Sequence, residues 1–327
     1  MKNNNNVITF FKNKHKVITE NRCSYKVITT HNNNYKVYTL INRNYKIITN
    51  FILYYIVITF SLSAHALSFN SDLTEGSLIF GHLDTDENLF VEESYLNIGK
   101  NTKNLFQVPS DSKGRFAIGI PQDAQNITLT VQKGNHSKKT TFPVKSRHWD
   151  EDYVTGLPPS KVTPNSKNQK RITQESFQMK QARQTSSYPY FTEKWLCPVP
   201  DYTRISSHFG SRRILNNIKK QGHSGTDLAA PIGTSVFAPA DGKIVFIHQD
   251  MFLTGKTILI DHGFGIFSSY SHLNSINVKL NQIVKSGFLL GTVGQTGRAT
   301  GPHLHWTITW YGVRVNPEDF LQQSSQK

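Results

Sequence analysis

Two histidines separated by one residue carry the strongest chemical signal in the chain. His303 and His305 flank Leu304, and the strand-like run Trp306–Trp310 follows them. Because residues i and i+2 of a strand face the same way, the two imidazoles should project side by side. One could bind a metal ion while the other reaches the open position of that ion. The spacing alone leaves open which histidine does which.

A second pair, His223 and Asp227, could complete such a site. On a helix the i, i+4 spacing would align these side chains, but Gly225 and Pro231 favour a loop and a strand. Two histidines and one aspartate leave the fourth position for water, which is the arrangement of catalytic zinc. The chain has only 2 Cys, so a four-cysteine zinc site is excluded.

The proton-transfer group must also come from histidine. The sequence contains no H-E-x-x-H motif, so the glutamate base of many zinc proteases is missing. Imidazole titrates near neutrality and can take that role, and His272 is a further candidate. We interpret His208, His248 and His262 as structural.

Five stretches between residues 200 and 320 resemble the LytM/lysostaphin-type zinc metalloendopeptidases, which cut peptidoglycan cross-bridges. They occur in the order of that family: Arg204–Gly210, His223–Pro231, Ala238–Gly242, Ser268–Leu273 and Gly294–His305. The preceding β region and linker are similar to those of exported Gram-negative members. The family fold is a compact antiparallel β structure with an open groove.

The resemblance implies roles for the site residues. One zinc ion would be bound by His223, Asp227 and His305, and the substrate would be peptidoglycan peptides. His272 and His303 would be the catalytic pair that activates water and stabilises the oxyanion. Every ligand position is filled, which favours an enzyme. The alternative is a non-catalytic wall-binding protein or an activator of cell-wall amidases, as in relatives that have lost ligands.

Three residues near these motifs are weaker candidates for the substrate groove. Tyr270 and Trp306 could line the groove or pack in the core. Arg298 lies in a Gly-flanked loop and could contact a substrate carboxylate, although a solvated arginine is the simpler interpretation.

The elements that must position these residues are mainly β. Residues 193–322 contain short strands bounded by Gly or Asp turns and form the predicted zinc metalloendopeptidase domain. Residues 67–150 contain runs of alternating apolar residues and predict an Ig-like β-sandwich accessory domain, through which wall or divisome proteins could bind. Residues 151–192 are predicted to be a linker with a weakly held helix over about 168–185, then a loop through Tyr188–Tyr190.

The first 66 residues are unusual. A triplet such as Val-Ile-Thr recurs every ten residues through residues 1–45, a period that matches no folded repeat. We interpret this segment as a translated tandem DNA repeat that is not part of the mature protein. Residues 46–66 combine Lys46, a short apolar run and an Ala-x-Ala site, which predicts a signal peptide. The mature chain would then start at Leu67 and be exported, to the periplasm and in association with the wall or a membrane.

The charge distribution argues against a nucleic-acid binder. The net charge is +15, but residues 1–66 hold 9 Lys plus Arg and 1 Glu. The remaining residues have 28 Lys plus Arg against 21 Asp plus Glu, and they contain no nucleic-acid-binding motif.

Overall fold

The computed structural model describes most of the chain after residue 66. The described ranges are 67–96, 104–156, 159–184, 193–216, 218–219 and 222–321, together with the backbone of three strands before residue 42. The chain forms two compact units, Met1–Ala66 and Leu67–Lys327. Among the described residues, no helix is both long enough and apolar enough to cross a membrane.

In the first unit the ten-residue repeat forms an antiparallel sheet. Its strands are β1 (His15–Thr19), β2 (Ser24–His31) and β3 (Asn34–Ile41). Each strand contains one copy of the triplet, and its β-branched residues favour extended backbone. The predicted signal peptide, residues 46–66, lies outside the described residues.

The region after residue 66 begins with two antiparallel sheets that pack face to face. The first sheet consists of β4 (Ser68–Phe69), β5 (Leu78–His82) and β8 (Arg115–Gly119). The second consists of β6 (Glu87–Glu92), β7 (Leu105–Val108), β9 (Asn126–Lys133) and β10 (His136–Pro143). Phe69 on the first sheet contacts Phe142 on the second, with ring centroids 5.5 Å apart. The two sheets form the sandwich that the alternating pattern predicts.

A ten-stranded sheet dominates the C-terminal region. Its central path runs through β12 (Arg204–Ser207), β15 (Thr226–Ala229), β22 (His303–Trp310), β19 (Ile266–Ile276), β18 (Gly255–Asp261), β17 (Gly242–Met251) and β20 (Ile283–Val284). The strands off this path are β16 (Ser235–Phe237), β21 (Leu289–Val293) and β23 (Val313–Val315). All pairings within this sheet are antiparallel, so the mainly β prediction is confirmed.

The two β regions share one hydrophobic core instead of standing apart. Buried residues of both, such as Phe116 and Trp310, belong to a single apolar cluster. A bidentate ion pair also joins the two regions: Arg147 donates to both carboxylate oxygens of Asp319, at 2.9 and 3.0 Å. Asp319 lies on the short helix α3 (Glu318–Leu321).

The segment between the β regions contains more structure than predicted. A short sheet combines β11 (Glu151–Val154), β13 (Arg212–Leu215) and β14 (Ile218–Lys219). Two helices follow β11 in the chain: α1 (Pro159–Val162) and α2 (Ser166–Ala182). The predicted loop Tyr188–Tyr190 lies outside the described residues.

The helix α2 begins two residues before the predicted position because Asn165 caps it, accepting from the backbone N–H of Asn168 at 2.9 Å. It is also held firmly, contrary to the prediction. Glu175 is buried and accepts from the backbone N–H of Phe252 at 2.8 Å and from Arg171 at 2.6 Å. The contacts that anchor this helix are therefore polar.

Candidate metal centre and its groove

Strand pairing brings the predicted ligands together. In the antiparallel pair β15–β22, Asp227 lies opposite His305 and Ala229 lies opposite His303. Directly opposed residues of such a pair face the same side of the sheet. The Asp227 carboxylate therefore meets the His305 ring, and His303 lies two residues away on the same face.

His223, Asp227 and His305 form a compact cluster, here called the metal cluster. The His305 Nδ1 to Asp227 Oδ1 distance is 2.7 Å, the His223 Nε2 to Asp227 Oδ1 distance is 3.1 Å, and the His223 Nε2 to His305 Nδ1 distance is 2.9 Å. Neighbouring ligands of a tetrahedral metal with bonds of about 2.05 Å lie roughly 3.3 Å apart. All three residues are at most 8% exposed. A donor set of two nitrogens and one oxygen this close together fits one small metal ion.

Outer contacts fix the orientation of His223. Its Nδ1 lies 3.0 Å from the backbone oxygen of His208, an atom that can only accept, so Nδ1 carries the proton. Nε2 points to the metal cluster and would be the ligand atom when a metal ion is bound. Ser207 Oγ lies 2.9 Å from the same Nδ1 and donates to Asp152 on β11. This is the second layer of hydrogen bonds that typically orients a metal-binding histidine.

His272 reaches the site from a bulge within β19. The register between β18 and β19 shifts beside it, and its φ of 62° lies in the left-handed region. Bulges of this kind redirect a side chain. The ring centroid of His272 lies 4.7 Å from that of His303 and 6.0 Å from that of His305.

In both His272 and His303, Nδ1 bonds to a backbone carbonyl of the described residues and Nε2 does not. Nδ1 of His272 donates to the Thr296 carbonyl at 2.7 Å, and Nδ1 of His303 donates to the Gly301 carbonyl at 2.8 Å. In neutral rings this leaves Nε2 as a proton acceptor. Burial and the neighbouring His303 and His305 hold the pKa of His272 well below its ordinary value, so its ring stays neutral.

Asp227 is ionised despite its burial. Burial alone opposes ionisation of the carboxyl, but the charges and hydrogen bonds of His223 and His305 outweigh it. The pKa of Asp227 is therefore held well below its ordinary value. His303 Nε2 lies 3.8 Å from Asp227 Oδ1, close to the metal cluster but outside its ligand set.

The three candidate groove residues have different positions. Tyr270 and Trp306 are both 0% exposed and lie in the hydrophobic core, so of the two interpretations the structure supports packing. They are register partners on β19 and β22. Arg298 is half-buried and lines a cavity of about 530 Å³ together with His223, His272 and His305.

Sequence reasoning missed the polar floor of the groove. Ser269, Ser271, Thr307 and Thr309 line a second cavity beside His305. The signal was present, because Thr307 and Thr309 continue the i, i+2 series of His303 and His305 along β22. The contributions of α2 and Arg314 to the same cavity had no sequence signal, since they depend on how distant segments pack.

Comparisons with known proteins agree with this geometry. Residues 221–317 match the sequence pattern of peptidase family M23. This range includes the whole metal cluster, His272 and His303. The match confirms the family resemblance, and four of the five motifs lie within residues 221–317.

Two curated relatives share the M23 region. The chain is 42% identical over 120 residues to the peptidoglycan DD-endopeptidase ShyA of Vibrio cholerae, a match that covers 36% of this chain and 28% of the relative. It is 43% identical over 118 residues to the DD-carboxypeptidase/endopeptidase Mpg of Neisseria meningitidis, covering 36% of this chain and 26% of the relative. The chain thus spans little more than a quarter of the length of these relatives.

A solved structure matches beyond the M23 region. A candidate M23 peptidase from Pseudomonas aeruginosa superposes with a TM-score of 0.57 and 29% identity, over 77% of this chain and 96% of that one. Because residues 221–317 are less than a third of the chain, the shared structure includes more than the M23 region.

Proposed function

We propose that the protein is a zinc-dependent endopeptidase that hydrolyses peptide cross-links of peptidoglycan. The observation that carries the proposal is the metal cluster, with two further histidines beside it and an accessible groove. The names of the relatives direct the proposal to an amide between two D-configured residues. The ligand positions are all filled, which argues against a non-catalytic activator of amidases.

The chain's own residues supply binding and proton transfer. Nδ1 of His272 and Nδ1 of His303 each donate to a backbone carbonyl, so in the neutral ring Nε2 of either residue can take a proton from an attacking water and pass it to the leaving amine. Once protonated, the same imidazole can donate to the developing oxyanion. The polar floor formed by Ser269, Ser271 and Thr307 offers hydrogen bonds to an extended peptide.

His223, Asp227 and His305 would hold the zinc ion. When bound there, zinc polarises the scissile carbonyl and acidifies the attacking water. The His₂Asp set suits zinc because it combines borderline nitrogen donors with one carboxylate and leaves a coordination position open. Ionised Asp227 also balances part of the positive charge of the ion.

Location and partners are part of the same proposal. We propose that the protein acts outside the cytoplasm, in the periplasm, because its substrate is there and residues 46–66 have the pattern of a signal peptide. The sandwich of residues 67–150 would place the peptidase at the wall or against divisome proteins.

Digestion of isolated sacculi tests the function. The full-length protein should release peptides when loaded with zinc, and a chelator should abolish the release. A His223→Ala variant should be inactive, whereas His136→Ala, which removes an exposed histidine of β10, should match the wild type. Equal inactivity of wild type and His223→Ala with zinc present would instead support the non-catalytic alternative.

A further inference from the structure

A cavity of about 560 Å³ lies between α2 and the polar floor of the groove. His305 lies on its wall, so the cavity adjoins the metal cluster. Lys180 contributes from α2, Arg183 from the C-cap position that follows α2, and Arg314 from β23. No acidic side chain of the described residues lines it. We call it the cationic cavity.

The two arginines of the cationic cavity repel each other. Burial, and then the charge of Arg314, lowers the pKa of Arg183 to about 10. Within the described part of the chain, neither guanidinium forms an ion pair with a carboxylate, whereas Arg147 and Arg171 both do. Arg183 is half-buried and Arg314 is exposed, and an anion between the two guanidinium groups would offset their mutual repulsion.

Two buried polar atoms in this cavity also lack partners. Arg183 Nε and Thr309 Oγ1 have no hydrogen-bond partner among the described residues. Within the part of the chain that the structure describes, the Arg183 guanidinium makes one weak contact, from Nη2 to Met179 Sδ at 3.7 Å. Buried polar groups are normally satisfied, because each unsatisfied one costs free energy. A planar anion with two oxygens, such as a carboxylate, could accept hydrogen bonds from two N–H groups of the Arg183 guanidinium.

The helix holds Arg183 in place. Glu175 and Arg171 fix α2 to the β17–β18 turn, through the Phe252 N–H and the Asp250 carboxylate, the latter 3.0 Å from Arg171. Arg183 follows Glu175 by eight residues, a rise of about 12 Å. Since the middle of the helix is anchored, its C-terminal end presents Arg183 to the cavity without a large loss of conformational entropy.

We propose that Arg183 and Arg314 form a subsite for a free carboxylate of the substrate, on the residue that the cleavage releases. The proposal rests on the proposed function, because it assigns one group of the same substrate. Since His305 and both arginines line one cavity, a carboxylate bound there would belong to a substrate residue near the reacting carbonyl. A DD-carboxypeptidase substrate has its free carboxylate on the residue next to the scissile bond.

Binding measurements without turnover test the subsite. The probes are a peptidoglycan stem pentapeptide ending in D-alanyl-D-alanine and the same peptide as its C-terminal amide. Calorimetry on the full-length, chelator-treated protein should give a Kd for the carboxylate form that is about 10- to 100-fold lower, the range of a charge-assisted hydrogen bond. Arg183→Gln and Arg314→Gln should each remove most of this difference and leave the amide Kd unchanged. Arg183→Lys should restore part of it, because lysine keeps the charge but not the fork.

Lys170→Gln is the matched control, since it removes one positive charge from an exposed position of α2 outside the cavity. It should preserve the preference for the carboxylate. Equal Kd values for the two peptides in the wild type, no measurable binding of the carboxylate form, or equal weakening of both peptides by the arginine variants would overturn the subsite. Failure of the zinc-loaded protein to hydrolyse any peptide would overturn the proposed function while leaving a Kd difference intact.

Discussion

The metal cluster and the cationic cavity share His305 but are constructed differently. The metal cluster lies on paired strands, where Asp227 and His305 are register partners and each ligand has a polar neighbour within 3.1 Å. The cationic cavity is closed by a helix from a different part of the chain, and its Arg183 Nε has no partner among the described residues.

This difference suits the two regions to different tasks: the metal cluster to hydrolysis and the cationic cavity to the choice of substrate. A strand ladder fixes side chains rigidly, which suits metal ligands, whose positions must be accurate to a few tenths of an ångström. A helix that packs over the sheet can differ between relatives without disturbing that ladder. We therefore expect substitutions in the metal cluster to abolish hydrolysis, and substitutions in α2 to change which substrates are hydrolysed.

The largest effect should come from Asp227→Asn. The amide cannot supply the negative charge that the ion and the two histidines require, so bound zinc and hydrolysis should both fall, the rate by at least about 1000-fold. Metal analysis and a peptide-release assay measure the two quantities. Asp201→Asn, at an exposed aspartate, should change neither. A variant that keeps both its zinc and its rate would remove Asp227 from the ligand set.

Glu175→Gln tests the anchor of α2. The change removes the ion pair with Arg171 and weakens the bond to the Phe252 N–H, so the free energy of unfolding should fall by about 1–3 kcal/mol. The preference for carboxylate substrates should fall with it, because Arg183 is held less firmly. Gln178→Ala, at an exposed position of the same helix, should alter neither property by a comparable amount. Faster hydrolysis by Glu175→Gln would show that α2 covers the groove instead of forming one wall of it.

A pH effect should arise in the sheet, away from both sites. Burial lowers the pKa of His262 from 6.5 to about 4 in the folded protein, so the folded state disfavours its protonation. The resulting stability is present above pH 6.5 and is lost as the pH falls from about 6.5 to 4, by up to about 3 kcal/mol. Denaturant unfolding as a function of pH should show this slope, and His262→Gln should flatten it. An equal slope in wild type and variant would assign the pH dependence to other groups.

The smallest effect should follow Tyr270→Phe. The tyrosine hydroxyl lies 2.7 Å from Ser268 Oγ inside the core, so its loss should cost about 1 kcal/mol of stability. The rate of peptide hydrolysis should stay within about twofold of the wild type, because the residue has no surface for a substrate. A tenfold loss of rate without a change in melting temperature would return Tyr270 to the groove.

The strands and the candidate metal-binding residues could be predicted from the sequence because their signals are local. Alternating residues, Gly turns and the i, i+2 spacing of His303 and His305 need no knowledge of distant contacts. The assignment of His305, and not His303, to the ligand set needed either a family resemblance or the register with Asp227. The bulge at His272 depends on pairing with two neighbouring strands, so its position inside β19 had no local signal.

The helix α2 shows where sequence reasoning ends. Its bounds were approximately right, but its anchor is one buried carboxylate, Glu175, in a segment that looks uniformly polar. Arg183 and Arg314 line the same cavity although they lie more than 130 positions apart in the sequence. Neither contact leaves a periodic pattern, since each depends on tertiary packing.

Mass spectrometry of the products from a defined muropeptide dimer, cross-linked through an amide between two D-configured residues, tests the central claim most directly. The zinc-loaded, full-length protein should convert the dimer into two monomers whose masses correspond to the addition of one water at that amide. The chelator-treated protein and the Asp227→Asn variant should leave the dimer intact. An intact dimer after incubation with the zinc-loaded protein, or cleavage that continues in the presence of a chelator, would contradict the account.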